Sequence, residues 1–311
     1  MKSLNYQDKG TVIHRMNPLA KLAWGVGILV LSLIFNHPLY VLLLLAAVLF
    51  LVLLARVWRE WSSAMRLALW LGISIIVINA LVSYHGSHVL LEAPFTVPVI
   101  GTPKITVEAI AFGAVMALRL FVIISTFVLI NLTVHPDEIM AILLKLKFPY
   151  KSVLITSLAT RFMPCLIEDI GRIGDAYRAR GLELDTGSWL ARIKNRAQII
   201  LPLLANSLEK AVQIAEAMEA RAFGTGRKRA LYHDIKLSPM DMVTLGFAVM
   251  PLTLGILMRI WGYGAYRYYP TMQAINFGYY ESVLLSILAV VLVTTVSLGF
   301  LKRMVELDRA V

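Results

Sequence analysis

Six stretches of this chain are apolar for so long that water is the wrong solvent for them, and this decides most of what the chain can become. They run over Leu22–Phe35, Leu39–Leu54, Leu67–Tyr84, Ala109–Leu132, Met242–Trp261 and Val283–Leu301. With their flanks they approach the roughly 20 residues that a helix needs to cross a hydrocarbon core. Inside lipid every backbone polar group must be bonded within the protein, so runs of this kind become helices. The whole chain agrees, being 59% hydrophobic with a mean hydropathy of +0.73. The first two runs are short and joined by Asn36-His37-Pro38. They are expected to form a tight helical hairpin whose second arm is the secure span. The predicted fold class is an all-α membrane protein with about six transmembrane helices.

Charge orients the helices. Lys and Arg crowd the N-terminus, Arg56–Arg66, Thr133–Met240 and the tail from Lys302, whereas His85–Thr106 and Gly262–Gly278 hold only Lys104 and Arg267. The positive-inside rule then places both termini and the long polar region in the cytoplasm of a multi-pass cell-membrane protein. The expected organisation is an N-terminal membrane domain of four spans (1–132), a cytoplasmic helical region (133–240) and a C-terminal hairpin of two spans (241–311). The net charge of +11 follows from that topology, without a nucleic-acid partner. The single cysteine, Cys165, excludes an intrachain disulfide framework and reads as a small core residue. Met1–Lys21 is polar with no small-residue cleavage site after the first apolar run, so that run is expected to stay as an anchor.

The region 133–240 carries helical periods. Pro136-Asp137-Glu138 opens a short helix with its acids on the positive end of the dipole, and Lys145, Lys147 and Pro149 close it. A second helix, from about Ser152, spaces Leu154, Leu158, Phe162, Leu166, Ile170, Ile173 and Tyr177 by fours and threes, a single stripe. Pro164 inside it predicts a kink or break, and Gly181 a cap. Asp185-Thr186-Gly187-Ser188 reads as a turn and a new start. A third helix, from about Ala197, repeats the stripe with Ile200, Leu204, Leu208, Ala211, Ala215, Met218 and Ala222. Its small residues permit close helix approach. The coupling region thus holds two to three long amphipathic helices, followed by Arg227-Lys228-Arg229, suited to anionic headgroups. In the outer loop, Phe95–Gly101 with its prolines suggests a short irregular hairpin.

Two of these helices end alike, in Ala179-Arg180-Gly181 and Ala220-Arg221-Ala222. A cation at a helix C-terminus is stabilised by about 0.3–1 kcal/mol, which explains a basic residue there. Small neighbours also leave a guanidinium unobstructed for a bidentate carboxylate pair. Truncating one partner of such a desolvated pair costs about 2–5 kcal/mol. Residue chemistry leaves both readings open, ordinary caps and docking knobs.

Arg161-Phe162-Met163-Pro164, Glu168 and Ala176–Gly181 resemble the first coupling-helix signature of the transmembrane T component of energy-coupling factor (ECF) transporters, the EcfT/CbiQ family. Leu201–Leu204, Ser207-Leu208 and Ala215–Arg221 are similar to the second. Asn17-Pro18-Leu19-Ala20-Lys21 resembles the family's Asp-Pro-Arg-x-Lys motif, and Ile105–Glu108 leading to Ala117-Leu118-Arg119 the start of its fourth span. The resemblance covers roughly residues 14–226. Ala222 stands where glycine is common, which is expected to loosen that helix end. Asn17 and Leu19 replace the motif's aspartate and arginine. The resemblance implies a scaffold with no catalytic residue or cofactor of its own. It would hold two cytosolic ABC-type ATPases through Ala179, Arg180 and Gly181 and through Ala220, Arg221 and Ala222. An S component, which captures a vitamin or a transition-metal ion such as cobalt or nickel, would sit in the lipid bilayer against Leu154, Leu158, Phe162, Leu166 and Ile170, with Leu204, Leu208, Ala211, Ala215 and Met218.

Other constellations are weaker. His85 and His88 are too few to make a metal site. Arg119, mid-span, is costly in lipid and reads as a structural hydrogen-bonding hub. Neither a nucleophile elbow nor a zinc-protease or phosphate-loop motif occurs, so enzymatic chemistry and an ATPase in this chain are not expected. The competing class is a stand-alone secondary permease or channel whose basic helices merely lie on the inner leaflet. It would be expected to show inverted repeats with broken helices, whereas the two halves here are unlike.

Overall fold

The computed structural model describes residues 9, 11–83, 86–92, 104–181, 186, 188–223, 239–274 and 278–308. Asp185, Gly187, Phe95–Gly101, His85 and the cluster Arg227-Lys228-Arg229 lie outside them. The helices are α1 (Val12–Arg15), α2 (Pro18–Ile34), α3 (Pro38–Leu54), α4 (Trp58–Val82), α5 (Val107–Thr133), α6 (Pro136–Lys145), α7 (Tyr150–Ala179), α8 (Trp189–Ala197), α9 (Ile200–Ala220), α10 (Pro239–Ile260) and α11 (Tyr279–Asp308). The only strands among the described residues, β1 (Val89–Glu92) and β2 (Lys104–Thr106), pair antiparallel with an irregularity between Val89 and Leu91. The chain is an all-α membrane protein. It divides into two compact units, one of residues 1–138 with 236–311 and one of residues 139–235.

In the first unit α4, α5 and α10 are long and apolar enough to cross a bilayer, while α2 and α3 are shorter apolar helices. At 17 residues each, these two are about 26 Å long. They do not make the expected tight hairpin. α2 packs mainly on α10 and α5, and α3 mainly on α5. α3 is apolar all round because one face is enclosed by protein and the other, with Leu42, Phe50 and Leu53, is exposed to suit lipid. Its Tyr40, Val41, Leu44, Val48 and Val52 are fully enclosed. α4 buries only Met65, Ala68, Gly72 and Ala80 and presents Leu67, Trp70, Ile73 and Leu81 outward, a surface suited to lipid.

The link between α2 and α3 explains Arg119. A turn placed among apolar helices has backbone groups that lipid cannot satisfy. Arg119 donates to the Phe35 carbonyl and to Asn36 Oδ1, both at 2.9 Å, and the Tyr268 hydroxyl donates to the Asn36 carbonyl at 2.7 Å. The amides of Asn36 and His37 donate to the Gly264 carbonyl at 3.1 and 3.2 Å. Gly264 takes φ +72, and a Cβ there would lie 2.4 Å from the Phe35 ring. Arg119 therefore acts as a donor for the turn.

Two further polar ties hold the ends of α5. Asn17 caps α2 by accepting from the Leu19 amide at 3.0 Å, with Pro18 at the first helical position, so asparagine does a cap's work there. Lys21, one turn on, donates to the His14 and Thr133 carbonyls, each at 2.9 Å. Thr133 is the last residue of α5, where carbonyls lack helical partners. At the opposite end the fully buried Glu108 accepts from the His88 amide and the Ser87 hydroxyl at 3.2 Å, and it pairs with His88 Nδ1 at 2.8 Å. These contacts tie β1 to the start of α5.

Candidate functional site

The second unit is built on α7 and α9. α7 runs unbroken through Pro164 for 30 residues, so of the kink or break expected there the break does not occur. α6 starts with a reciprocal cap, His135 Nδ1 accepting from the Asp137 amide at 3.1 Å and Glu138 accepting from the His135 amide at 3.2 Å. α8 is separate from α9, because the chain turns at Gln198 and Ile199. The Arg192 amide donates to the Ser188 carbonyl at 3.0 Å, which makes Ser188 the start of α8.

α7 and α9 run antiparallel. The Tyr150 ring at the start of α7 lies 6.5 Å from the Phe223 ring just beyond α9, and the Tyr177 hydroxyl near the end of α7 reaches the Gln198 carbonyl before α9 at 3.5 Å. The two arginine-bearing ends therefore point in opposite directions.

Those ends are built alike. Arg180 and Arg221 are the C-cap residues, with φ, ψ of −85, 5 and −88, 14. The next residue is left-handed in both, Gly181 at φ +82 and Ala222 at φ +54. The Gly181 amide donates to the Arg178 carbonyl at 2.9 Å. The Ala222 amide donates to Glu219 at 2.8 Å, and Phe223 to Met218 at 2.9 Å, the bonding pattern of a Schellman cap. Ala222 adopts the left-handed conformation glycine would, so the turn closes in the same way and the expected loosening is left to backbone strain. Both arginines are exposed. Among the described residues neither guanidinium has a hydrogen-bond or ion-pair partner, unlike Arg178 and Arg172, which pair with Asp175 and Asp169.

The stripes are placed unevenly. In α7, Leu154, Phe162 and Leu166 are half-buried, while Leu158 and Ile170 are exposed. In α9, Leu204, Leu208, Ala211 and Ala215 are exposed and only Met218 is half-buried. The partly covered face of α9 is instead Leu203, Ser207, Lys210, Ile214 and Met218. α9 has no fully buried residue. Cys165 is exposed, not a core residue as expected, because α7 is enclosed along one face only.

Sequence periodicity missed Asp169. Its side chain is 1% exposed because Lys210 from α9 and Arg172 from its own helix both donate to it and cover it. Those bonds, Lys210 first, hold its carboxyl below the ordinary 3.8 despite the opposing cost of burial. Lys210 also lies 5.9 Å from the Phe162 ring centroid. The only hint in sequence was an acid set among the apolar positions Leu166, Ile170 and Ile173.

The profile of the cobalt transport protein family, CbiQ, matches residues 9–233. The chain belongs to that family. The match spans α1 to α9, the stretch that contains both arginine-tipped ends. Among curated proteins it is similar to the energy-coupling factor transporter transmembrane protein EcfT of Listeria innocua, 29% identical over 233 residues, covering 72% of this chain and 85% of that one. The EcfT of Streptococcus equi is 28% identical over 265 residues, 81% of this chain and 93% of its own. That of Clostridium kluyveri reaches 33% over 162 residues, half of this chain and 60% of its own.

Proposed function

We propose that this chain is the transmembrane T component of an energy-coupling factor importer. It carries no reaction of its own. It couples ATP hydrolysis by two cytosolic ATPases to uptake of a vitamin or a transition-metal ion, which a separate S component captures in the membrane. Both termini and residues 133–240 face the cytoplasm, as the distribution of Lys and Arg favours. Arg180 docks in one ATPase and Arg221 in the other.

The observation that carries this reading is the shared geometry of the two tips. An ordinary cap would need only a cation near the last carbonyls. Here two helices present the same turn, the same left-handed residue and the same exposed arginine without an internal partner. The cap fixes the backbone beneath each guanidinium, so only side-chain freedom is left to lose on docking, which favours a bidentate carboxylate in a pocket. The exposed apolar positions Leu158, Ile170, Leu204 and Leu208 supply a surface for the S component. The names of the EcfT relatives support the assignment.

The test is co-purification from native membranes, with uptake measured in the same cells. Arg180→Glu and Arg221→Glu are each expected to lose one ATPase and to stop uptake. An intact complex that still transports in either variant would sink the docking roles. Purified chain that transports without any ATPase would establish a stand-alone permease instead.

A further inference from the structure

Asp169 is the one fully buried acid of the α7–α9 pair among the described residues. Its position is symmetric. Eleven residues separate it from Arg180, and eleven separate Lys210 from Arg221, so each tip stands about 16 Å from the contact. With the helices antiparallel, the two arginines are held on the order of 30 Å apart. Beyond the ring contact of Tyr150 with Phe223 and the long hydrogen bond from Tyr177 to Gln198 at the two ends, full enclosure along the pair is sparse. α9 buries nothing fully, and α7 buries only Val153, Asp169 and Gly174. An enclosed and directional contact near the middle then holds the two helices more firmly than the exposed contacts at their ends, because side chains without enclosed neighbours slide at little cost.

We propose that Asp169 and Lys210 form a clasp that sets the separation and relative aim of the two coupling tips. The proposal rests on the reading of Arg180 and Arg221 as docking residues. Asp169 and Lys210 are positioning residues that touch neither ATPase. Arg172, on the same helix as Asp169, donates to the same carboxylate without bridging the helices. Lys210 also lies over the Phe162 ring, within reach of a cation–π attraction.

The experiment is a distance measurement between spin labels on the full chain in phospholipid nanodiscs. Labels are carried by Ala176→Cys and Ala217→Cys, both exposed and each four residues before its arginine, in a Cys165→Ala background. The parent is expected to give one narrow distance distribution. Asp169→Asn and Lys210→Met broaden and shift it, Lys210→Arg restores it, and Arg172→Ala has the smaller effect because it spans no helix gap. In the transporter, Lys210→Met keeps both ATPases bound while uptake falls on the order of tenfold. An unchanged distribution in Lys210→Met overturns the clasp, as does a broadened one with normal uptake. If instead Arg180→Glu and Arg221→Glu leave the ATPases bound, the docking reading fails while the distances, read on the chain by itself, still judge the clasp.

Discussion

Exchanging the residue after each arginine isolates the backbone cost of the two tips. Ala222 holds φ +54 and Gly181 φ +82. A left-handed conformation costs an L-residue about 1–2 kcal/mol. Ala222→Gly removes that strain and returns about 0.4–1 kcal/mol through the freer unfolded chain. The net gain is about 1 kcal/mol, or roughly fivefold in the local opening equilibrium. Gly181→Ala should lose a similar amount, and by strain alone, since a Cβ there meets nothing within 4 Å. Amide hydrogen exchange reads both. The Phe223 amide, bonded to Met218, should exchange roughly fivefold more slowly in Ala222→Gly. The Gly181 position, bonded to Arg178, should exchange faster by a similar factor as alanine. The left-handed caps are refuted if protection at both ends is unchanged, or if the signs are reversed.

Three more outcomes are expected. Arg119→Met leaves the Phe35 carbonyl and Asn36 Oδ1 without their donor, at about 1–3 kcal/mol for each buried acceptor. The detergent-solubilised protein should melt lower than the parent, with Arg119→Lys falling between. Gly113→Val places a Cβ 3.0 Å from the Ile76 Cα of α4 and should cost about 1–3 kcal/mol by overpacking, read in the same melt. The clasp should be insensitive to mild acid. Asp169 has its carboxyl depressed below 3.8 in the folded protein, so its contribution is present above that value and lost only as pH falls through the lower folded one. Label distances should be constant from about pH 8 to about pH 5. A distribution that opens within that window would show that the carboxylate is not held by Lys210 and Arg172.

Much of the helix layout was legible because its signals are local. Pro136 opens a helix where the sequence placed one, Pro18 and Pro38 prove to be the first residues of α2 and α3, and Gly181 ends α7 in the left-handed turn that only a few residues tolerate. The two Ala-Arg ends were likewise readable as a repeated three-residue pattern. Periodicity failed where a helix was not enclosed. The stripe from Leu204 to Ala215 is exposed, since amphipathicity marks the apolar face of a helix and not what will cover it.

What the chain dictates by itself is therefore where helices run, which of them suit lipid, and where its two arginine tips fall. Nearest-neighbour sterics and burial of apolar surface need no distant partner to do this. The tertiary structure alone decided that α2 and α3 part company, that Arg119 serves the turn between them, and that Asp169 is enclosed at all. Each depends on groups far apart in sequence: 84 residues from Arg119 to Phe35, and 41 from Asp169 to Lys210. A charge in an apolar stripe announces that it needs a partner, and only the packed fold says which one it finds.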